Sequence, residues 1–316
     1  MSKYLVTGGA GFIGSNIVEE LLKRGQTVRV IDDFSTGREE NLEEFKNDIE
    51  LIREDIRNKD AVFKAVKGVD YVVHQAALAS VPRSIDNPEA SNMVNVQGTL
   101  NLLEAAVKAS VKQFVYASSS SVYGDSETLP KIETMPINPK SPYAVAKLAG
   151  ELYCRAFASV FNLPTTSLRY FNVFGPRQDP NSQYSAVIPL FIKALAEKKS
   201  PTIFGDGEQS RDFTFIQNVV NANLLACEKE RPGGDFFNVA CGDRFTLNEL
   251  YEQLQKIMGV EMPAKYADPR KGDVKHSQAA IGAVEDAIGY RSGIGFQEGL
   301  EKTVKWYLEI GLKSMA

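Results

Sequence analysis

Lys3-Tyr4-Leu5-Val6-Thr7-Gly8-Gly9-Ala10-Gly11-Phe12-Ile13-Gly14 is the stretch from which the fold follows. Its first five residues read as a short buried strand, and the run from Gly8 to Gly14 opens an amphipathic helix that continues to about Arg24. Glycines at 8, 11 and 14 let the backbone turn tightly and approach a pyrophosphate held at a helix N-terminus.

Working outward, strand and helix patterns alternate. Strands are expected over 27–32, 49–53, 69–74, 114–117 and 165–169, with helices over 59–66, 96–110 and 143–162 between them. That alternation predicts βαβ units and an α/β fold, a doubly wound parallel sheet of the Rossmann kind over residues 1–170. After Arg169 an aromatic, Gly- and Pro-rich passage, Tyr170 to Arg177, fits a loop crossing to a second part. A smaller mixed α/β substrate-binding domain is expected over 171–316, with segments crossing between the two. Amphipathic helices over 247–258 and 296–308 would form its core, with Trp306 as packing.

A second stretch carries the chemistry. A hydroxyl run, Ser118 to Ser121, precedes Val122-Tyr123-Gly124, and Ser141-Pro142-Tyr143-Ala144-Val145-Ala146-Lys147 follows. Pro142 suits the start of a helix, so Tyr143 and Lys147, four apart, should project from one face. A free phenol has a pKa of about 10, too high for a base at neutral pH, and adjacent positive charge draws it down. Lys147 supplies one such charge.

Composition narrows the alternatives. With 316 residues, 43% of them hydrophobic, the chain can bury a large core, and its net charge of −4 without a long basic run argues against nucleic acid as a partner. No apolar run approaches the roughly 18 residues that span a bilayer, so a soluble protein is expected. Three scattered cysteines, Cys154, Cys227 and Cys241, make a disulfide framework improbable and the cytoplasm the expected compartment. Two histidines, His74 and His276, leave few candidates for a histidine base and none for a His-rich metal site.

Gly8-x-x-Gly11-x-x-Gly14, Ser119 and Tyr143-x-x-x-Lys147, in this order, resemble the extended short-chain dehydrogenase/reductase superfamily, and within it the nucleotide-sugar 4-epimerases, from Tyr4 to about Trp306. The resemblance implies NAD as cofactor, held by Gly8, Gly11, Phe12, Ile13 and Gly14, with Tyr143 and Lys147 at its reactive end. Asp32, 18 residues beyond Gly14, and Asp33 would meet the adenosine ribose, and a carboxylate there disfavours a 2′-phosphate. Arg38 nearby would accommodate one, and the two acids would equally suit a solvated loop. Asp55 and Ile56 resemble an adenine contact or a polar turn. Gln75, Ala76 and Ala77 would lie against phosphate and ribose, or pack a helix tightly. Asn95 matches an asparagine that supports the active-site helix and its proton path, and also suits a cap.

On the substrate side the resemblance assigns Ser119 to the sugar hydroxyl beside Tyr143. Ser120 and Ser121 stand where sugar dehydratases carry an Asp-Glu pair. Asn172 would touch the sugar diphosphate, Val187, Thr202 and Phe204 the nucleotide pocket, and Arg211 and Arg270 the diphosphate, with Asp273 orienting Arg270 or a ribose hydroxyl. Ser277 falls where some relatives use a bulky tyrosine beside carbon 2, so room for an N-acetyl group is expected. The implied activity is 4-epimerisation of UDP-sugars through a 4-keto intermediate, with UDP-N-acetylglucosamine/UDP-N-acetylgalactosamine first and UDP-glucose/UDP-galactose also accepted. Epimerisation or decarboxylation of UDP-glucuronate, a reductase consuming free NADH, and a non-catalytic NAD-binding regulator are the alternatives. A homodimer through the helices over 96–110 and 143–162 is implied as well.

Overall fold

The computed structural model describes residues 1–180, 186–229, 233–269 and 274–311. In the first half the elements are β1 (Lys3–Thr7), α1 (Phe12–Lys23), β2 (Thr27–Asp32), β3 (Ile49–Arg53), α2 (Lys59–Val66), β4 (Tyr71–His74), α3 (Val81–Asp86), α4 (Pro88–Asn92), α5 (Thr99–Lys108), β5 (Gln113–Ser119), α6 (Pro142–Phe161) and β6 (Thr165–Tyr170). The second half adds β7 (Val173–Phe174), α7 (Val187–Ala196), β8 (Thr202–Phe204), β9 (Ser210–Arg211), β10 (Thr214–Phe215), α8 (Ile216–Glu228), β11 (Asp235–Val239), β12 (Phe245–Thr246), α9 (Leu247–Met258), β13 (Lys265–Ala267), α10 (Gly282–Ile288) and α11 (Phe296–Trp306).

Seven parallel strands form the central sheet in the order β11-β6-β5-β4-β1-β2-β3. The order reverses between β1 and β4, and in such sheets ligands settle in the crevice outside the carboxyl ends of strands at that switch point. Side chains alternate between the two faces as the period of two requires. Tyr4, Val6, Val28 and Val30 pack under α1 and α8, whereas Leu5, Ile31, Val72, Phe114 and Tyr116 pack under α2, α5 and α6. The sheet is therefore buried on both sides, which is why its strands read as nearly continuous apolar runs.

Local chemistry sets the helix ends. Asn58 caps α2 by accepting from Ala61 N, Thr246 and Glu249 form a capping box on α9, and Gly259 closes that helix in the left-handed region at φ 64°. On α6 the Ser141 hydroxyl accepts from Ala144 N at 3.2 Å, Pro142 occupies the first turn, and Asn162 ends the helix at φ 53°. A π-helical turn, Met93–Gly98, joins α4 to α5, so the helix expected over 96–110 begins in an under-wound segment. One strand comes from the second half: β11 lies beside β6 at the sheet's edge, with Asn238 opposite Arg169.

Candidate active site

The loop after β1 and the loop after β4 meet at the switch point. A Cβ on Gly8, whose φ is +67°, would lie 2.7 Å from the Ala76 backbone, and one on Gly14 would lie 2.1 Å from Gly8 O. Gly8 thus lets the two loops touch, and Gly14 lets the first turn of α1 close against the loop that leads into it. α1 starts at Phe12 behind Gly11, which offers no capping side chain, and its first turn carries no acid. Its open N–H groups face a cleft of about 260 Å³ lined by Gly8, Gly11, Phe12, Ile13 and Gly14. Asp32, Asp33, Asp55, Ile56, Gln75, Ala76 and Ala77 line the same cleft, and Tyr143 and Lys147 stand in its wall. Glycines that leave room for a diphosphate, an anion-seeking helix end and carboxylates toward the far end fit a dinucleotide without a 2′-phosphate.

Asp32 is buried and its two oxygens accept from Ala10 N and Phe34 N, both at 2.8 Å. Burial raises its carboxyl above the usual range, against those two hydrogen bonds and with repulsion from Asp33 adding to the rise. Arg38 does not line the cleft; its guanidinium lies 3.4 Å from Glu40 and 3.6 Å from Asp179. Asp55 is held below the usual carboxyl range by Arg57, whose hydrogen bonds outweigh its partial burial.

Asn95 sits behind the cleft rather than in its wall. It is buried, its Oδ1 accepts from Leu78 N at 2.8 Å, and its Nδ2 donates to Leu78 O at 3.2 Å. Its Nδ2 also donates to Ser91 Oγ at 3.3 Å, so the amide braces the 75–79 loop against α4 from behind the cleft. His74 extends that brace. Thr99 donates to Asn95 O at 2.7 Å, so its oxygen receives His74 Nε2–H at 2.9 Å, and His74 Nδ1 accepts from the Thr7 hydroxyl at 2.7 Å. Burial, with Lys147 nearby, pushes His74 down to about 3, so it is neutral.

Tyr143, partly open to the cleft, is anchored by its backbone N–H donating to Ser84 Oγ at 3.0 Å. Burial raises its phenol above 10, and a hydrogen bond with Ser119 lowers it. Lys147 Nζ donates to Ala117 O at 2.8 Å and lies 6.0 Å from the Tyr143 ring centre; burial pulls it down to about 7. Lys147 supplies only one positive charge, and burial acts against the charged form of both groups, so a second positive charge beside the phenol is needed to favour its ionisation.

A second cleft, about 470 Å³, is lined by Asn172, Val187, Thr202, Phe204 and Arg211, and by Gln209 and Phe213 from the same stretch as Arg211. Asn172 holds φ 29°, a strained value at a loop end that asparagine tolerates. Arg211 Nη1 donates to Ser210 O at 2.9 Å and Lys275 O at 3.2 Å. Burial lowers the His276 pKa, the cations Arg244, Lys275 and Arg211 lower it further and Asp206 acts against them, so a mainly cationic patch that only the fold assembles lies near Arg211. Ser277 N donates to Ser210 O at 3.0 Å, beside that patch. Ser120 and Ser121 form a 3-10 turn after Ser119, with Ser121 Oγ 2.9 Å from Ser119 Oγ. Arg270 and Asp273 lie outside the described residues. Among the described residues no group of His, Cys, Asp and Glu is placed to hold a metal ion.

Residues 4–240 match the model of the NAD dependent epimerase/dehydratase family. A UDP-glucose 4-epimerase of Mycolicibacterium smegmatis is 38% identical over 311 residues, covering 96% of this chain and 97% of that protein. The structure of a UDP-N-acetylglucosamine 4-epimerase from Methanobrevibacter ruminantium, in complex with UDP-N-acetylmuramic acid, is 42% identical and superposes with a TM-score of 0.93, covering 97% of this chain and 98% of that one. A UDP-glucose 4-epimerase from Thermus thermophilus in complex with NAD is 37% identical with a TM-score of 0.89, covering 98% of this chain and 99% of that one. The chain belongs to the NAD-dependent epimerase/dehydratase family, as an enzyme of its nucleotide-sugar 4-epimerase branch with NAD as cofactor.

Proposed function

We propose that the enzyme interconverts UDP-N-acetylglucosamine and UDP-N-acetylgalactosamine by inverting carbon 4, and accepts UDP-glucose and UDP-galactose as well. The observation that carries the reaction type is the meeting of Tyr143, its hydrogen-bond partner Ser119, and Lys147 in the wall of the dinucleotide cleft. The hydrogen on carbon 4 is not acidic, so proton abstraction alone cannot invert that centre, whereas oxidation to a ketone can. When bound, NAD supplies the place where the hydride rests and a positive charge beside the phenol. Tyr143 takes the proton of the 4-hydroxyl as that carbon is oxidised and gives it back at the end. Ser119 holds the hydroxyl in line, and Lys147 favours the ionised phenol once a second positive charge joins it.

The ketone must offer its other face before it is reduced. The diphosphate is accordingly held firmly and the sugar loosely. Arg211, with Arg244 and Lys275 beside it, takes the diphosphate, and Asn172, Val187, Thr202 and Phe204 take the nucleotide end. Ser120 and Ser121 offer no carboxyl pair, so elimination of water lacks its acid and base. Ser277 leaves space at carbon 2, and the UDP-N-acetylmuramic acid bound to the Methanobrevibacter protein bears an N-acetyl group at that carbon, which supports the N-acetylated substrates.

We infer further that residues 171–316 act mainly as the sugar-nucleotide half, that two copies join along α6, and that the free thiols Cys154, Cys227 and Cys241 suit the cytoplasm. The test is to incubate the purified protein, without added cofactor, with UDP-N-acetylglucosamine and with UDP-glucose and to resolve the products. Both galacto epimers are expected. A dehydrated or decarboxylated product, or turnover only with added NADH, overturns the reading.

A further inference from the structure

A line of buried hydrogen bonds runs from one cleft to the other. Ser118, in the wall of the dinucleotide cleft, donates to Glu151 Oε2 at 3.2 Å, and Arg169 Nε donates to Glu151 Oε1 at 2.8 Å. Arg169 Nη1 then donates to the Tyr123 hydroxyl at 2.9 Å. Because a guanidinium only donates, the phenol's own proton goes to Asn238 Oδ1, 2.6 Å away. That fixes the Asn238 amide, whose Nδ2 donates to Lys131 O at 3.0 Å and to Ala280 O at 3.4 Å. Lys131 N donates to Gln278 O at 2.7 Å and Ala280 N to Lys131 O at 2.9 Å, which ties the 125–140 loop to the strip carrying Ser277. From there Ala279 N reaches Asp212 at 3.1 Å and Ser277 N reaches Ser210 O at 3.0 Å, next to Arg211 in the second cleft.

Ser118, Tyr123, Glu151, Arg169 and Asn238 are each no more than 3% exposed. A buried ion pair such as Arg169–Glu151 adds little net stability compared with apolar residues of like volume. A buried network hydrogen-bonded end to end in this way holds the spacing of its members. Tyr123 ends the short turn that begins beside Ser119, and Asn238 is the strand partner of Arg169, so one phenol–amide contact joins the catalytic turn to the second half.

We propose that Tyr123 and Asn238 are positioning residues that set the distance between the Ser119–Tyr143 centre and the strip carrying Ser277, and so hold carbon 4 at reach of Tyr143; this rests on the epimerase reading above. A sugar tethered only through its diphosphate meets the reacting groups correctly only if the tether and those groups keep a fixed separation.

The test uses Tyr123→Phe and Asn238→Ser in the NAD-loaded enzyme, with UDP-N-acetylglucosamine turnover, titration of UDP, and amide hydrogen exchange. UDP affinity and KM are expected within about twofold of the parent, while kcat falls about tenfold or more in both variants. In the parent, UDP should protect amides at 118–124 as well as at 277–280; in either variant the protection at 118–124 should vanish and that at 277–280 remain. Retained kcat, retained protection at 118–124, or a parallel loss of UDP affinity, turnover and cooperative melting in both variants overturns the proposal. A parent that takes no UDP fails the substrate reading itself, before any variant is compared, and the coupling falls with it.

Discussion

Tyr143 and Lys147 carry opposite burdens from the same burial. Burial pushes the phenol up and the ammonium down to about 7, so each is shifted toward its neutral form, and added positive charge beside the phenol favours its ionisation. Tyr143→Phe should lower turnover between about a hundredfold and ten-thousandfold while NAD remains bound and the melting temperature is unchanged; chromatographic product analysis and cofactor content measured together check this. Lys147 also has a stability signature in the ligand-free protein. Between its folded value of about 7 and its ordinary 10.5 the unfolded chain binds the extra proton, so stability contributed at this site rises with pH across that window. Lys147→Met should flatten that rise in denaturant titrations repeated from neutral to alkaline pH. Asp212 behaves in the reverse sense. Its carboxyl is raised from 3.8 to about 6, chiefly by burial, so stability is full below 3.8 and declines as pH climbs to about 6. Asp212→Asn should remove that decline, and because Cys241 N, Gly242 N and Ala279 N all donate to the carboxylate, it should also lower stability by about 1–3 kcal/mol above pH 6, where the carboxylate is ionised.

At the level of elements, the turn between β1 and α1 is the least forgiving. A methyl on Gly14 would meet Gly8 O at 2.1 Å, whereas one on Gly11 would meet the same atom at 3.2 Å. Gly14→Ala should therefore lose NAD during purification and melt several degrees lower, and Gly11→Ala should fold nearly normally; melting curves and cofactor stoichiometry distinguish the two. These elements were readable from the chain because their signals are local. β1, β2, β3, α2 and α9 begin and end where the apolar period predicts, and Pro142 announces α6 to within a residue. α8 and β11 escaped. α8 is buried on nearly every side, with Asn218 and Asn223 inside, so it lacks the polar stripe that reveals a helix, and the five residues of β11 gain their meaning from β6 alone. The clefts divide in the same way. Glycine spacing and Tyr143-x-x-x-Lys147 are sequence patterns, whereas the Arg211, Arg244 and Lys275 patch and the Tyr123–Asn238 contact join residues far apart in the chain, and no local rule reports them.

Across the whole molecule, α6 turns one face to its own sheet and leaves another uncovered. Val145, Leu152 and Val160, at 53%, 51% and 68% exposure, lie along that outer side at helical spacing. Such a stripe fits the second copy proposed above; on that proposal the parent should run as a dimer and Leu152→Glu as a monomer in light scattering, with the helix's inner residues, and hence Lys147, left in place.

The strand that crosses back from the second half has a consequence for anyone who would divide the protein. A fragment ending at residue 170 would leave β6 as a naked border, with the edge normally covered by β11 free to recruit another molecule, and would strip α8 from the underside of the sheet. Such a piece should precipitate or form oligomers when expressed alone. Supplying residues 171–316 in the same cell should rescue it, since the nucleotide-binding half is finished only by a thread from its neighbour.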